Sequence, residues 1–153
     1  MTTHAIATAH HSGIQLTARL RRRWPTPLDV GATAVTLPLV LRRPATLSGT
    51  VSAWSVLLAG VIYLAWGSAR GDLTSARRLA AQTTAVLVLG AAAVAAAALE
   101  QKQALYLLAA AWFGHALWDL VHHRLNAVVP RWYAETCLAS DLLITAGLLF
   151  TAR

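Results

Sequence analysis

Residues that could bind a metal ion or move a proton are concentrated near the end of the chain. His115, Asp119, His122 and His123 fall within nine consecutive residues, and Asp141 follows in the next apolar run. On a helix, at about 100° per residue, His115, Asp119 and His122 lie within about 60° of one another. His123 lies on the flank of that face. The spacing therefore brings imidazole and carboxylate groups together, and these are ligands that suit zinc or iron.

Three interpretations of this cluster remain open. In the first, His115 and Asp141 form a hydrogen bond between two antiparallel helices, and the cluster is structural. In the second, His115, Asp119, His122 or His123, and Asp141 hold a zinc or iron ion. That mononuclear, hydrolase-like site would use a metal-bound water to attack a lipid-like substrate. In the third, His115 and Asp141 titrate in a proton or ion path. The sequence therefore leaves open a metal-dependent membrane enzyme and a non-enzymatic structural or transport-associated subunit.

The elements that position these residues are apolar runs long enough to cross a bilayer. Of 153 residues, 57% are hydrophobic and 12% are charged, whereas soluble domains carry about 25% charged residues. Four long runs are free of charge or nearly so, and a fifth is shorter and interrupted by Asp29 and Pro38. A span needs about 20 residues, and its backbone must satisfy its own hydrogen bonds as a helix. We therefore predict an all-α polytopic transmembrane bundle of five, or alternatively four, helices. The predicted spans are residues 28–41 (marginal), 48–68, 79–99, 104–123 and 132–150.

The basic residues indicate topology rather than nucleic-acid binding. The net charge of +7 comes from Arg and Lys in the gaps between apolar runs and in a polar N-terminal tail, residues 1–27. With five spans and a cytoplasmic N-terminus, nine of the thirteen Lys and Arg residues are cytoplasmic, and with four spans eight are. Both counts follow the positive-inside rule. We expect a multi-pass protein of the cytoplasmic membrane, with the lipid bilayer as its partner, no nucleic acid, and a transmembrane domain over residues 28–153.

The residues of the last hairpin carry a family resemblance. The run from Trp112 to His123, followed by Pro130, Cys137 and Asp141, resembles a family of uncharacterised bacterial integral membrane proteins, domain of unknown function 6010. The resemblance covers about 30 residues and rests on a His-x-x-Trp-Asp-x-x-His-His helix. It implies a small multi-helix membrane protein. This sequence has one cysteine where the family has a pair, and the family has no established activity, so the resemblance supports the site and implies no reaction.

Overall fold

Four α-helices make up the part of the chain that the structure describes. A computed structural model describes residues 45–153. Its helices are α1 (Ala45–Ala69), α2 (Ala76–Ala98), α3 (Gln101–Leu125) and α4 (Arg131–Thr151), and no strand occurs among them. All four are long and apolar enough to cross a membrane. This confirms the all-α class and indicates a multi-pass membrane protein in a lipid environment.

The helices coincide with four of the predicted runs. Each begins one to three residues earlier than the run, because charged residues such as Arg77, Arg78 and Lys102 lie in the first turns of the helices rather than in the loops. Long basic side chains can extend to the membrane surface from a terminal turn. The four-helix alternative fits the described residues. The fifth predicted span, residues 28–41, and the tail, residues 1–27, lie outside them.

The ends of the helices follow from local sequence signals. Ser75 caps α2, since its side-chain oxygen accepts a hydrogen bond from the backbone N–H of Arg78 at 3.2 Å. At the end of α3, Asn126 adopts the left-handed conformation that stops a helix. Pro130 immediately precedes α4, where its missing N–H leaves no helical hydrogen bond unmade. The loops between successive helices are therefore short, and neighbouring helices run antiparallel.

Helix α3 occupies the centre of the bundle. It packs against each of the other three helices, and it is the most buried of the four. One apolar core surrounds its N-terminal half and contains Leu105, Leu108 and Trp112. A second core, at the other end of the bundle, contains Tyr63 and Val129. The buried polar residues of α3, which are His115, Asp119 and His122, lie between these two cores. Each of the other three helices can therefore contribute a side chain beside them.

Large apolar side chains cover the outside of the bundle. Trp54, Leu87, Val94 and Phe150 are each at least 67% exposed. Soluble monomers rarely expose apolar surface on this scale, because it would bind other proteins or aggregate. In a bilayer these side chains would contact lipid chains instead of water. Their exposure therefore agrees with helices that are long and apolar enough to cross a membrane.

The α1–α2 and α3–α4 loops meet at one end of the bundle. Asp72 accepts hydrogen bonds from the backbone N–H of Val128 and from Arg70, both at 3.1 Å. Val128 has a φ of 72°, which is strained for a β-branched residue. A Cβ atom placed on Gly67 would lie 2.9 Å from a methyl group of Val128 and 3.0 Å from Leu73. Only glycine fits at this contact without displacing the loops.

We expect Gly67→Ala to destabilise the protein relative to Gly114→Ala. Both changes give a helix the same gain in backbone propensity, but a Cβ on Gly114 meets no atom within 4 Å. Overpacking at position 67 should lower the free energy of unfolding by about 1–3 kcal/mol relative to that control. Thermal unfolding in detergent, followed by circular dichroism, measures the difference. Equal stabilities would show that the loops yield to the methyl group without cost.

Candidate functional site

His115, Asp119 and Asp141 form a buried cluster between α3 and α4, referred to below as the His–Asp cluster. Nδ1 of His115 lies 2.6 Å from Oδ2 of Asp141 and 3.6 Å from Oδ2 of Asp119. The three residues are at most 3% exposed, and one potential ligand atom from each lies within 4.8 Å of the others. The structure therefore contains the interhelical contact between His115 and Asp141 on which the first of the three interpretations depends.

Tyr63 adds a residue from α1 that the sequence analysis missed. Its hydroxyl donates a hydrogen bond to Oδ1 of Asp119 at 2.5 Å. The edges of the Tyr63 and His115 rings meet almost perpendicularly, with ring centroids 5.4 Å apart. Tyr63 lies six residues before the end of α1, deeper than the interface that tyrosine usually prefers. That depth was the available signal, since a buried tyrosine hydroxyl usually has a hydrogen-bond partner.

Two atoms of the His–Asp cluster are buried without a hydrogen-bond partner. They are Nε2 of His115 and Oδ2 of Asp119. Buried polar atoms of native proteins are nearly always paired, because an unpaired one forfeits its interaction with water and gains nothing in return. Nδ1 is the nitrogen of His115 that lies near both carboxylates, at 2.6 Å from Asp141 and 3.6 Å from Asp119.

His122 lies in a separate network on the same face of α3. Its Nδ1 donates to the backbone carbonyl of Trp118 at 2.9 Å, and its Nε2 accepts from the amide of Gln82 at 2.7 Å. The indole N–H of Trp118 donates to the Gln82 carbonyl oxygen at 3.3 Å. Because the backbone carbonyl of Trp118 can only accept, the proton of the neutral His122 ring lies on Nδ1. Both nitrogens of His122 are thus engaged, and it could bind a metal only by giving up Gln82.

His123 also lies apart from the His–Asp cluster. Its Nε2 is 2.6 Å from Oε1 of Glu135, and both side chains are partly exposed, at 30% and 41%. Of the five residues predicted for a metal site, the structure brings together His115, Asp119 and Asp141. Helical spacing placed His122 and His123 near the same face of α3. It could not show that Gln82 and Glu135 face them.

More of the polar contacts around the His–Asp cluster lie toward the C-terminal end of α3 than toward its N-terminal end. Toward its C-terminus they continue through Tyr63 and the Gln82–His122 pair. Toward its N-terminus, one hydrogen bond follows, from Trp112 to Ser52 at 2.7 Å. The buried positions beyond it are alanine and leucine. The buried face of α3 before Trp112 is therefore apolar.

No protein-family model matches the chain, and neither a curated protein nor a solved structure does. The argument for the site therefore rests on the residues and their geometry.

We expect Tyr63→Phe to destabilise the protein, because it leaves Oδ1 of Asp119 buried without its donor. The loss should be about 1–2 kcal/mol in the free energy of unfolding, as for other buried hydrogen bonds in membrane proteins. Tyr106→Phe is the matched control, since Tyr106 is 45% exposed, and it should change stability by less than about 0.5 kcal/mol. Thermal unfolding in detergent compares the two. Equal effects would mean that the Tyr63 hydroxyl contributes nothing to the bundle.

Proposed function

We propose that this protein is a membrane-embedded metalloprotein in which His115, Asp119 and Asp141 hold one zinc or iron ion. The observation that carries the proposal is the His–Asp cluster itself. It contains three buried groups of the types that bind these metals, with potential ligand atoms within 4.8 Å of one another. Two of its atoms, one imidazole nitrogen and one carboxylate oxygen, have no hydrogen-bond partner.

The charge of the cluster supports a bound cation. Its two carboxylates face one imidazole and the neutral hydroxyl of Tyr63. No lysine or arginine is among the buried residues that the structure describes. An uncompensated charge inside a bilayer costs at least about 2.5–3.5 kcal/mol. A divalent cation would balance the charge of both carboxylates and would give Oδ2 of Asp119 a partner.

The proposed reaction is metal-assisted hydrolysis. Three protein ligands on a zinc ion leave a coordination position for water or substrate, as in catalytic rather than structural zinc sites. Bound there, the metal would supply an activated water as a nucleophile. Because the cluster lies inside a membrane-spanning bundle, the substrate we propose is lipid-like.

A second candidate function is non-enzymatic, and one observation favours it. His115 already bonds directly to Asp141, and Asp119 to Tyr63, with short distances of 2.6 Å and 2.5 Å. These bonds connect α3 to α4 and to α1 without any ion. In this alternative the cluster is an interhelical hydrogen-bond network in a structural or transport-associated subunit. The proton-path form of this alternative has less support, because the buried positions of α3 before Trp112 are alanine and leucine.

Membership of the domain of unknown function 6010 family and the membrane orientation are further proposals. The family assignment rests on the His-x-x-Trp-Asp-x-x-His-His run of α3. We propose a cytoplasmic N-terminus in the cytoplasmic membrane, on the distribution of Arg and Lys. Four spans would then put the α3–α4 loop outside the cell, and a fifth span over residues 28–41 would put it in the cytoplasm.

Metal analysis of the detergent-purified protein tests the proposed function. We expect about one zinc or iron ion per chain. His115→Gln, Asp119→Asn and Asp141→Asn should each weaken metal binding by more than about 100-fold, since each removes a ligand. His123→Gln is the matched control, because His123 pairs with Glu135 at the surface, and it should keep the metal.

Metal binding should also stabilise the folded protein. At a free concentration 100 times the dissociation constant, the gain is about 2.7 kcal/mol, and the ligand variants should lose it. A wild-type protein that binds no metal, with ligand variants that unfold at lower temperature, would support the hydrogen-bond network instead. Equal metal content in the ligand variants and in His123→Gln would contradict the proposed ligand set.

A further inference from the structure

A groove of about 600 Å³ lies between α2 and α3 on the outside of the bundle. It exists because both helices carry small side chains along this seam, including Ala81, Ala85, Ala92, Ala110, Ala111 and Gly114. Its volume falls within the range of about 300–1,000 Å³ that small-molecule sites occupy. The groove is lined mostly by apolar side chains, with His115 and Trp118 among its few polar ones.

His115 belongs both to this groove and to the His–Asp cluster. Its Nδ1 is turned toward Asp141 on α4, and α4 contributes no residue to the groove wall. The other ring nitrogen, Nε2, is buried and has no hydrogen-bond partner. His115 is only 1% exposed. The apolar groove thus lies against a buried residue that carries an unpartnered polar atom.

We propose that the groove binds one acyl chain of a membrane phospholipid and places it against His115. This inference goes beyond the proposed function, because it assigns a lipid-binding groove beside the His–Asp cluster and does not require a metal ion there. The phospholipid would enter sideways from the bilayer, because the groove opens between two helices that are long and apolar enough to be lipid-embedded. Val88, on its wall, is 61% exposed.

The dimensions of the groove fit one lipid chain. Its wall on α3 runs from Leu107 to Trp118, which corresponds to about 16 Å at 1.5 Å per residue. The hydrocarbon core of a bilayer is about 30 Å thick, so one leaflet contributes about 15 Å. A chain lying along α3 would thus fill the groove without the polar headgroup having to enter it.

A second groove supplies an internal control. It has a volume of about 450 Å³ and is lined by residues of α1, α2 and α3 near Gly49 and Ala104, with no histidine, aspartate or glutamate in its wall. Gly49 lines this second groove, and Gly114 lines the first. A Cβ atom on either glycine would meet no atom within 4 Å. Leucine at each position should therefore fill one groove and leave the helix packing intact.

The test is photolabelling in phosphatidylcholine vesicles that contain a trace of phosphatidylcholine with a diazirine in one acyl chain. Wild-type protein, Gly114→Leu and Gly49→Leu are illuminated, and the labelled peptides are located by mass spectrometry. We expect label concentrated on residues 81–92 and 107–118 of the wild-type protein. Gly114→Leu should reduce this label several-fold, whereas Gly49→Leu should not. Ala110→Leu, which also fills the first groove, replaces Gly114→Leu if that variant fails to fold.

Two results would overturn the acyl-chain site. One is label spread evenly over the lipid-facing surface and unchanged in Gly114→Leu. The other is a wild-type groove without label, as expected if a second copy of the chain covers it. The metal content of the same samples separates this inference from the proposed function. Groove-specific label without metal would support the lipid site and contradict the proposed metalloprotein. Metal without groove-specific label would support the metalloprotein and contradict the lipid site.

Discussion

A polar side chain inside a lipid-embedded bundle must find its partner within the protein, because the bilayer interior offers no water to bind it. In this protein α3 carries the polar residues, and each neighbouring helix supplies at least one partner. Tyr63 of α1 binds Asp119, and Asp141 of α4 binds His115. Gln82 of α2 binds His122. The arrangement of all four helices therefore depends on one row of polar residues along the central helix.

These hydrogen bonds specify the rotation and register of the helices, which apolar packing alone cannot do. Surfaces of alanine and leucine are similar in several rotations and registers, and lipid is as good a neighbour for them as another helix. A hydrogen bond requires two particular atoms within about 3 Å, so each polar pair selects one rotation and one register. The same residues can therefore hold the bundle together and form a metal site. For this reason the structural and enzymatic interpretations share the same residues.

The sequence predicted the part of the site that lies within one hairpin. Helical periodicity and a short loop fix the relative depth of His115 and Asp141, so their contact could be predicted from spacing alone. Tyr63 and Gln82 could not be predicted in the same way, because they lie 56 and 40 residues from their partners in the chain. Helices α1 and α2 carry apolar side chains on all their faces. Their sequences therefore have no periodicity that shows which face meets α3. The long apolar helices themselves were predictable from length and composition, since lipid imposes both.

The small side chains of α2 explain both the lipid-facing groove and the few contacts that α2 makes with the polar row of α3. Nearly half of this helix is alanine, so it fills the gap to α3 only where it carries a larger residue. Gln82 does so at one end by bonding to His122, and Leu89 is buried farther along. Between and beside these contacts, small residues leave the seam open to lipid. His115 lies at the point where that seam reaches the polar row, and it is the only described ionisable residue in contact with both. The imidazole of His115 is therefore the point at which lipid in the groove and the polar row of α3 come closest among the described residues.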